Sequence, residues 1–231
     1  MEQHNLIRLT RGCEKMGINP EKDQLEQLQA YQALLARWNN TFNLTAVRDE
    51  GQMVTRHLLD SLSVLPYLHS GPCIDVGTGA GLPGIPLAIM RPEQPVHLLD
   101  SNGKKTRFLF QVKTALSLDN IVVHQARVES FQPGSPFVSV ISRAFASLQE
   151  MVRGCRHLVA PGGRLLAMKG ASPGLELQAC ASERIDAVVH ALNVPDLNEQ
   201  RHVVEIRLQA GLIIPSLFSR GNTIQQGHRD R

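Results

Sequence analysis

The chain has 231 residues, 42% of them hydrophobic, and a formal net charge of +3; this suits one large domain, or one with an appendage, and excludes a disordered chain. There is no run of about eighteen apolar residues, and Met1 to Thr10 is polar, so neither a membrane span nor a secretory signal is expected, and the expected location is the cytoplasm. Charge is uneven: residues 71–170 carry 11 Lys and Arg against 6 Asp and Glu, whereas residues 1–70 carry 7 against 8 and residues 171–231 carry 6 against 7. That central excess suits a polyanionic partner, although a scattered solvated surface would have the same composition. The cysteines Cys13, Cys73, Cys155 and Cys180 lack C-x-x-C spacing, so no metal site is expected and they read as buried small hydrophobes.

In chain order, residues 1–70 read as a helical region. Leu25, Leu28, Tyr31, Gln32, Leu35 and Trp38 recur at helical spacing after Glu21, and a second helix is expected from Glu50 to Leu65, stopped by Pro66. From Cys73 short apolar runs alternate with helical stretches: strands near 73–76, 96–99, 121–124, 137–141 and 164–168, helices near 83–90, 104–118 and 147–159. Such alternation implies an α/β fold with a parallel, doubly wound sheet over residues 71–209. A helix near 174–182 precedes two apolar segments, Arg184 to His190 and Arg201 to Leu208, which form a plausible closing antiparallel hairpin. The stretch 210–231 has little periodicity and reads as a mobile tail.

The segment from Cys73 to Gly84 reads as a buried strand, an acid, a glycine turn and a helix start, with Pro83 and Pro86 suited to the first helical turn. Gly79 to Gly84 satisfies G-x-G-x-x-G, the dinucleotide fingerprint. The overlapping frame Asp75-x-Gly77-x-Gly79-x-Gly81 resembles motif I of the Rossmann-like S-adenosylmethionine (SAM) methyltransferases. An acid at the strand end suits the cationic methionine part of SAM and repels a pyrophosphate, so Asp75 favours SAM over NAD(P). Asp100, ending the next strand about twenty residues on, suits a ribose diol; it could instead belong to a helix cap with Ser101, Asn102 and Gly103.

Four segments together, Trp38 to Thr45, Arg56-His57-Leu58-Leu59-Asp60-Ser61, Asp75 to Pro86 and Ser142-Arg143-Ala144-Phe145-Ala146, closely resemble the small-subunit ribosomal RNA methyltransferase G family, also called the glucose-inhibited division protein B family. The resemblance runs from about Leu25 to Leu208. It implies a seven-stranded, mostly parallel sheet with an antiparallel final strand and an N-terminal helical appendage. The implied reaction is methylation of guanosine N7 in the 530 loop of 16S rRNA, with SAM as cofactor and small-subunit RNA, neither DNA nor membrane, as partner. It also implies SAM contacts at Gly77, Leu82, Val128, Glu129 and Arg143. On the residues alone, Glu129 could be a solvated helix-start acid and Arg143 a surface arginine, although each follows a strand whose carboxyl end faces the ligand crevice. Lys169 could contact phosphate or be an ordinary exposed lysine. His57 and Asp60 share a helix face and could hydrogen-bond each other in a structural or substrate-positioning role; Asn43 and Arg48 could cap the helix or contact RNA.

The loop after the fourth strand reads Ser-Arg-Ala-Phe. It lacks the Asn/Asp-Pro-Pro-aromatic sequence of enzymes that methylate exocyclic amines, and the Cys73 thiol is expected to be buried, against pyrimidine C5 chemistry. Guanine N7 carries a lone pair at neutral pH and needs no general base. Two other readings remain at this level: an NAD(P)-dependent oxidoreductase, from the glycine spacing, and a non-catalytic RNA-binding protein.

Overall fold

The computed structural model describes residues 2–170, 173–180, 183 and 185–209. Helices α1 (Glu2–Lys15) and α2 (Lys22–Phe42) open the chain. A helical segment follows in three pieces: α3 (Glu50–Met53), a π-helical turn (Val54–Leu59) and α4 (Asp60–Leu62). The single helix expected from Glu50 to Leu65 is therefore corrected. A widened turn interrupts it, and Pro66 sits in a separate short 3-10 turn, Leu65–Tyr67. Asn43 takes a left-handed conformation that closes α2, with Arg48 bonded to its side-chain oxygen at 3.1 Å; Asp49, not either of these, caps α3.

The elements β1 (Cys73–Val76), α5 (Gly84–Met90), β2 (Val96–Asp100), α6 (Gly103–Ala115), β3 (Ile121–Gln125), β4 (Phe137–Ser142), α7 (Leu148–Cys155) and β5 (Val159–Lys169) follow, strands alternating with helices except between β3 and β4, where a 3-10 turn (Val128–Ser130) stands in place of a helix. The chain ends, within the described residues, with α8 (Gly174–Ala179), β6 (Ile185–Leu192) and β7 (Arg201–Leu208). The sheet order is β3-β2-β1-β4-β5-β7-β6, with β7 antiparallel to both of its neighbours. The seven-stranded sheet and closing hairpin match expectation. The expected beginning of the hairpin at Arg184, the end of the 174–182 helix and the 210–231 tail lie outside the described residues.

Strand alternation assigns each side chain to a face. Cys73, Val96, Leu98 and Ile141 join one core with residues of α1, α2, α5 and α6; Ile74, Val76, Leu99 and Val140 join another with α7. All four residues of β1 are buried, as a central parallel strand covered on both faces requires. The N-terminal helices thus complete the first core, with Leu9, Leu28 and Leu35 packed in the same cluster as Ile85 and Phe108. All four cysteines are buried and unpaired.

Candidate active site

The strand order reverses beside β1, between β2 and β4, and the carboxyl ends of these strands open on a crevice, the usual ligand position in such sheets. The glycine loop bounds it. Gly77, Gly79 and Gly81 hold φ of +68°, +62° and +93°, conformations that side chains rarely adopt. The loop's amides bond inward. Gly77 and Thr78 donate to the Leu99 carbonyl, Gly81 and Leu82 to the Thr78 carbonyl, Gly79 to Asp100 Oδ2 at 2.9 Å, and Gly84 to Asp75 Oδ2 at 2.8 Å. A pyrophosphate needs such N–H groups free, so this turn is not a dinucleotide cradle despite its G-x-G-x-x-G spacing.

Asp75 lies under the loop, fully buried, bonded to Thr78 Oγ1 at 2.6 Å and to the Gly84 amide. Burial pushes its carboxyl up to about 6, against the hydrogen bonds from Thr78 and Gly84, and its second oxygen has no partner. Direct exposure to a ligand, which the sequence suggested, is therefore not what its side chain has; it braces the turn. Leu82 and Gly81 face the core as well: a Cβ on Gly81 would meet Ile85 and Leu109.

A cleft of about 260 Å3 gathers other singled-out residues: Gly77, Asp100, Val128 and Glu129, with Leu99 and Phe145. Asn102 caps α6 through Lys104 N. Asp100 instead accepts from the Asn102 and Gly79 amides, and Lys105 Nζ stands 3.6 Å from its Oδ2. A carboxylate held in this way beside an apolar slot fits a ribose diol and purine, and Gly77 leaves room that a Cβ, 2.7 Å from Ala144 Cβ, would take. The residues present therefore fit SAM.

A second cleft, about 430 Å3, adjoins the first and shares Phe145. Arg56, His57, Asp60, Arg143, Lys169 and Arg201 line it. The π-helical turn positions Arg56 and His57, and Asp60 begins the next piece. The side chains of His57 and Asp60 do not bond each other; only the Asp60 amide donates to the His57 carbonyl. Nε2 of His57 lies 2.8 Å from Thr45 Oγ1, while Asp60, 2% exposed, binds Arg143 Nη1 through one oxygen and Arg201 Nε through the other, each at 3.0 Å. Burial, and then the Arg143 charge, push the His57 imidazole down to about 4. Lys169 is neither a free surface lysine nor aimed at solvent. Its ammonium bonds the Phe145 and Ala146 carbonyls and, at 2.9 Å, Glu176. Ser142 Oγ donates to the Val76 carbonyl at 2.7 Å and accepts from the Ala144 amide, so Ser142 fixes the start of the loop carrying Arg143 and Phe145, and Lys169 holds its far end.

Sequence reasoning did not single out Arg201, Thr45 or Phe145 as site residues. Phe145 was visible within the Ser-Arg-Ala-Phe segment; Arg201 reads locally as an alternating strand residue, and its partner Asp60 lies 141 positions away.

The family model described as rRNA small subunit methyltransferase G matches residues 24–204. A Pseudomonas aeruginosa protein named ribosomal RNA small subunit methyltransferase G is 51% identical over 90% of this chain and 98% of its own length. A Cellvibrio japonicus protein of the same name is 53% identical over 87% of this chain and 94% of its own. Among solved structures, a DhpI complex with S-adenosylhomocysteine superposes with TM-score 0.54 at 14% identity, covering 80% of this chain and 96% of that one. The glycopeptide N-methyltransferase MtfA gives 0.55 at 12% identity, covering 66% and 95%. These two likenesses establish the methyltransferase fold. The family match and the close relatives establish that this chain belongs to the rRNA small subunit methyltransferase G family.

Proposed function

We propose that this protein transfers a methyl group from SAM to N7 of a guanosine in the 530 loop of 16S rRNA. One observation carries this reading: a cleft suited to a nucleoside and a cleft lined by arginines meet at Phe145, and the pair His57 and Asp60 on the second cleft does not serve as a general base. Asp60 has both oxygens engaged by guanidinium groups, and His57 is a weak base at about 4. Guanine N7 needs none, since its own lone pair attacks and no proton leaves the nitrogen. When bound, SAM supplies an electrophilic methyl on a sulfonium sulfur.

The chain's contribution is alignment and exclusion of water. Asp100 would bond the ribose hydroxyls, and Leu99, Val128 and Glu129 would border the adenine. Asp75 holds the turn that carries Gly77. Arg143, pinned by Asp60, would position the methionine end or the target nucleotide, and Lys169 would keep the Phe145 loop rigid. The relatives' names support small-subunit RNA as the partner. No helix among the described residues is long and apolar enough to cross a membrane, in keeping with work in the cytoplasm.

Titration calorimetry with SAM, S-adenosylhomocysteine and NADH, followed by labelled methyl transfer to small-subunit RNA, tests the reading. Binding of the first two ligands with incorporation into RNA is expected. NADH binding would revive the oxidoreductase, and RNA binding without incorporation would leave a non-catalytic protein.

A further inference from the structure

Beside the second, arginine-lined cleft, which would receive the methyl acceptor (the acceptor cleft), a third cleft of about 340 Å3 is lined by Arg8, Gln52, Thr55 and Asn198 among others. Arg56 lines both clefts, and Glu199, on the loop before β7, lines only the third. Glu199 is the partition. One of its oxygens is hydrogen-bonded by Arg56 Nη2, and the other accepts from Arg201 Nη2 at 2.9 Å. Two guanidinium groups thus converge on one carboxylate, each through a single N–H bond, an arrangement that the two free oxygens of a phosphodiester can also accept.

The two carboxylates that share Arg201 differ in how firmly they are held. The Asp60 side chain is 2% exposed, and it fixes Arg201 and Arg143 from beneath. Glu199 is 45% exposed, on a non-helical loop, and an exposed ion pair of this kind contributes little to stability. The hydrogen bonds from Arg56 and Arg201 hold its carboxyl below the usual range, so it is ionised at neutral pH. A nucleotide whose base enters the acceptor cleft must carry its flanking phosphates past the cleft rim, and splaying one base out of a loop requires the neighbouring backbone to be gripped.

We propose that Arg56 and Arg201 form a phosphate-binding fork for the RNA strand next to the target nucleotide, and that Glu199 occupies it as a displaceable stand-in for that phosphate. Displacement joins the third cleft to the acceptor cleft in one groove. Asp60 keeps Arg201 in place when Glu199 leaves. The inference rests on the reading of the chain as an RNA methyltransferase and names a subsite of its RNA.

The test compares wild type, Glu199→Gln and Arg56→Gln for binding to a 16S rRNA fragment containing the 530 loop across a salt series, with SAM affinity and thermal melting as controls. Glu199→Gln should tighten RNA about threefold to tenfold, since it removes the competing charge and keeps the side-chain shape. Arg56→Gln should weaken RNA roughly tenfold and reduce the slope of log affinity against log salt by about one. SAM affinity should stay unchanged in both. If Glu199→Gln weakens RNA as Arg56→Gln does, the carboxylate braces the arginines and the displacement is wrong. Unchanged RNA affinity in both variants, with wild type bound, would overturn the fork. Wild type that binds SAM but no RNA would instead remove the reading on which the inference rests.

Discussion

Gly77 is the residue where chemistry and conformation constrain each other most, since it combines φ +68° with a place on the cleft wall. Gly77→Val should lower SAM affinity more than about tenfold while costing roughly 1–3 kcal/mol of stability, from side-chain bulk and a strained backbone. Equal SAM affinity in calorimetry would remove the cradle. Asp100→Ala should weaken SAM and S-adenosylhomocysteine by a similar factor, about tenfold to a hundredfold, because they share the ribose that a charged acceptor would hold. A loss of melting temperature with unchanged binding would instead make Asp100 a brace for the Gly79 and Asn102 amides. The spacing of acid and glycines made Gly77 and Asp100 legible in sequence, because both needs are local. The same spacing made Asp75 legible as an acid but not its direction: only the fold shows its oxygen turned to Thr78 and Gly84. Glu199 and Arg201 were illegible as site residues, since what gives them meaning is contact with Arg56 and Asp60 from far away in the chain.

Among elements, α2 does more than cover the sheet. Its Tyr31 hydroxyl donates to the Ala80 carbonyl at 2.8 Å, in full burial, and so ties the N-terminal helices to the glycine turn. Tyr31→Phe leaves that carbonyl unpaired, which should cost about 1–3 kcal/mol in urea unfolding and weaken SAM through a looser turn. Lost stability with unaltered SAM affinity would show that α2 supports the core only. Helical periodicity placed Tyr31 on the inward face of a helix, yet no periodicity reveals a hydroxyl's partner. The π-helical turn over Val54–Leu59 escaped for a related reason: nothing local in its residues marks the widening, which shows only in the fold, where it sets Arg56 and His57 on the second cleft.

At the scale of the whole molecule, acid sensitivity follows from histidines buried in neutral form. Burial lowers His57 and His97 to about 4, and lowers His124 as well. A histidine with a lowered native pKa contributes stability that is present above its unfolded value of about 6.5 and lost as pH falls through that value toward 4. For His57 the loss amounts to about 3 kcal/mol at most. Asp75, raised to about 6, has the opposite sign and regains stability as pH falls from there toward 3.8, offsetting part of the decline. Melting temperature should therefore fall from pH 7 to 4.5, and less steeply in His57→Gln; parallel curves would show that His57 is solvated. The sheet, its order and its closing hairpin were legible because buried parallel strands leave uninterrupted apolar runs between helical patterns. The meeting of two clefts at Phe145 was not, because it depends on how Ser142 and Lys169 hold one loop.

The most direct test of N7 transfer is to map the modified nucleotide in small-subunit RNA by cleavage selective for N7-methylated guanine, after single turnovers from pH 6 to 9. A single cleaved guanosine in the 530 loop, formed at a rate nearly independent of pH, is the expected result. A methyl group on an exocyclic amine, or a rate rising about tenfold per pH unit as a required base would impose, would contradict it.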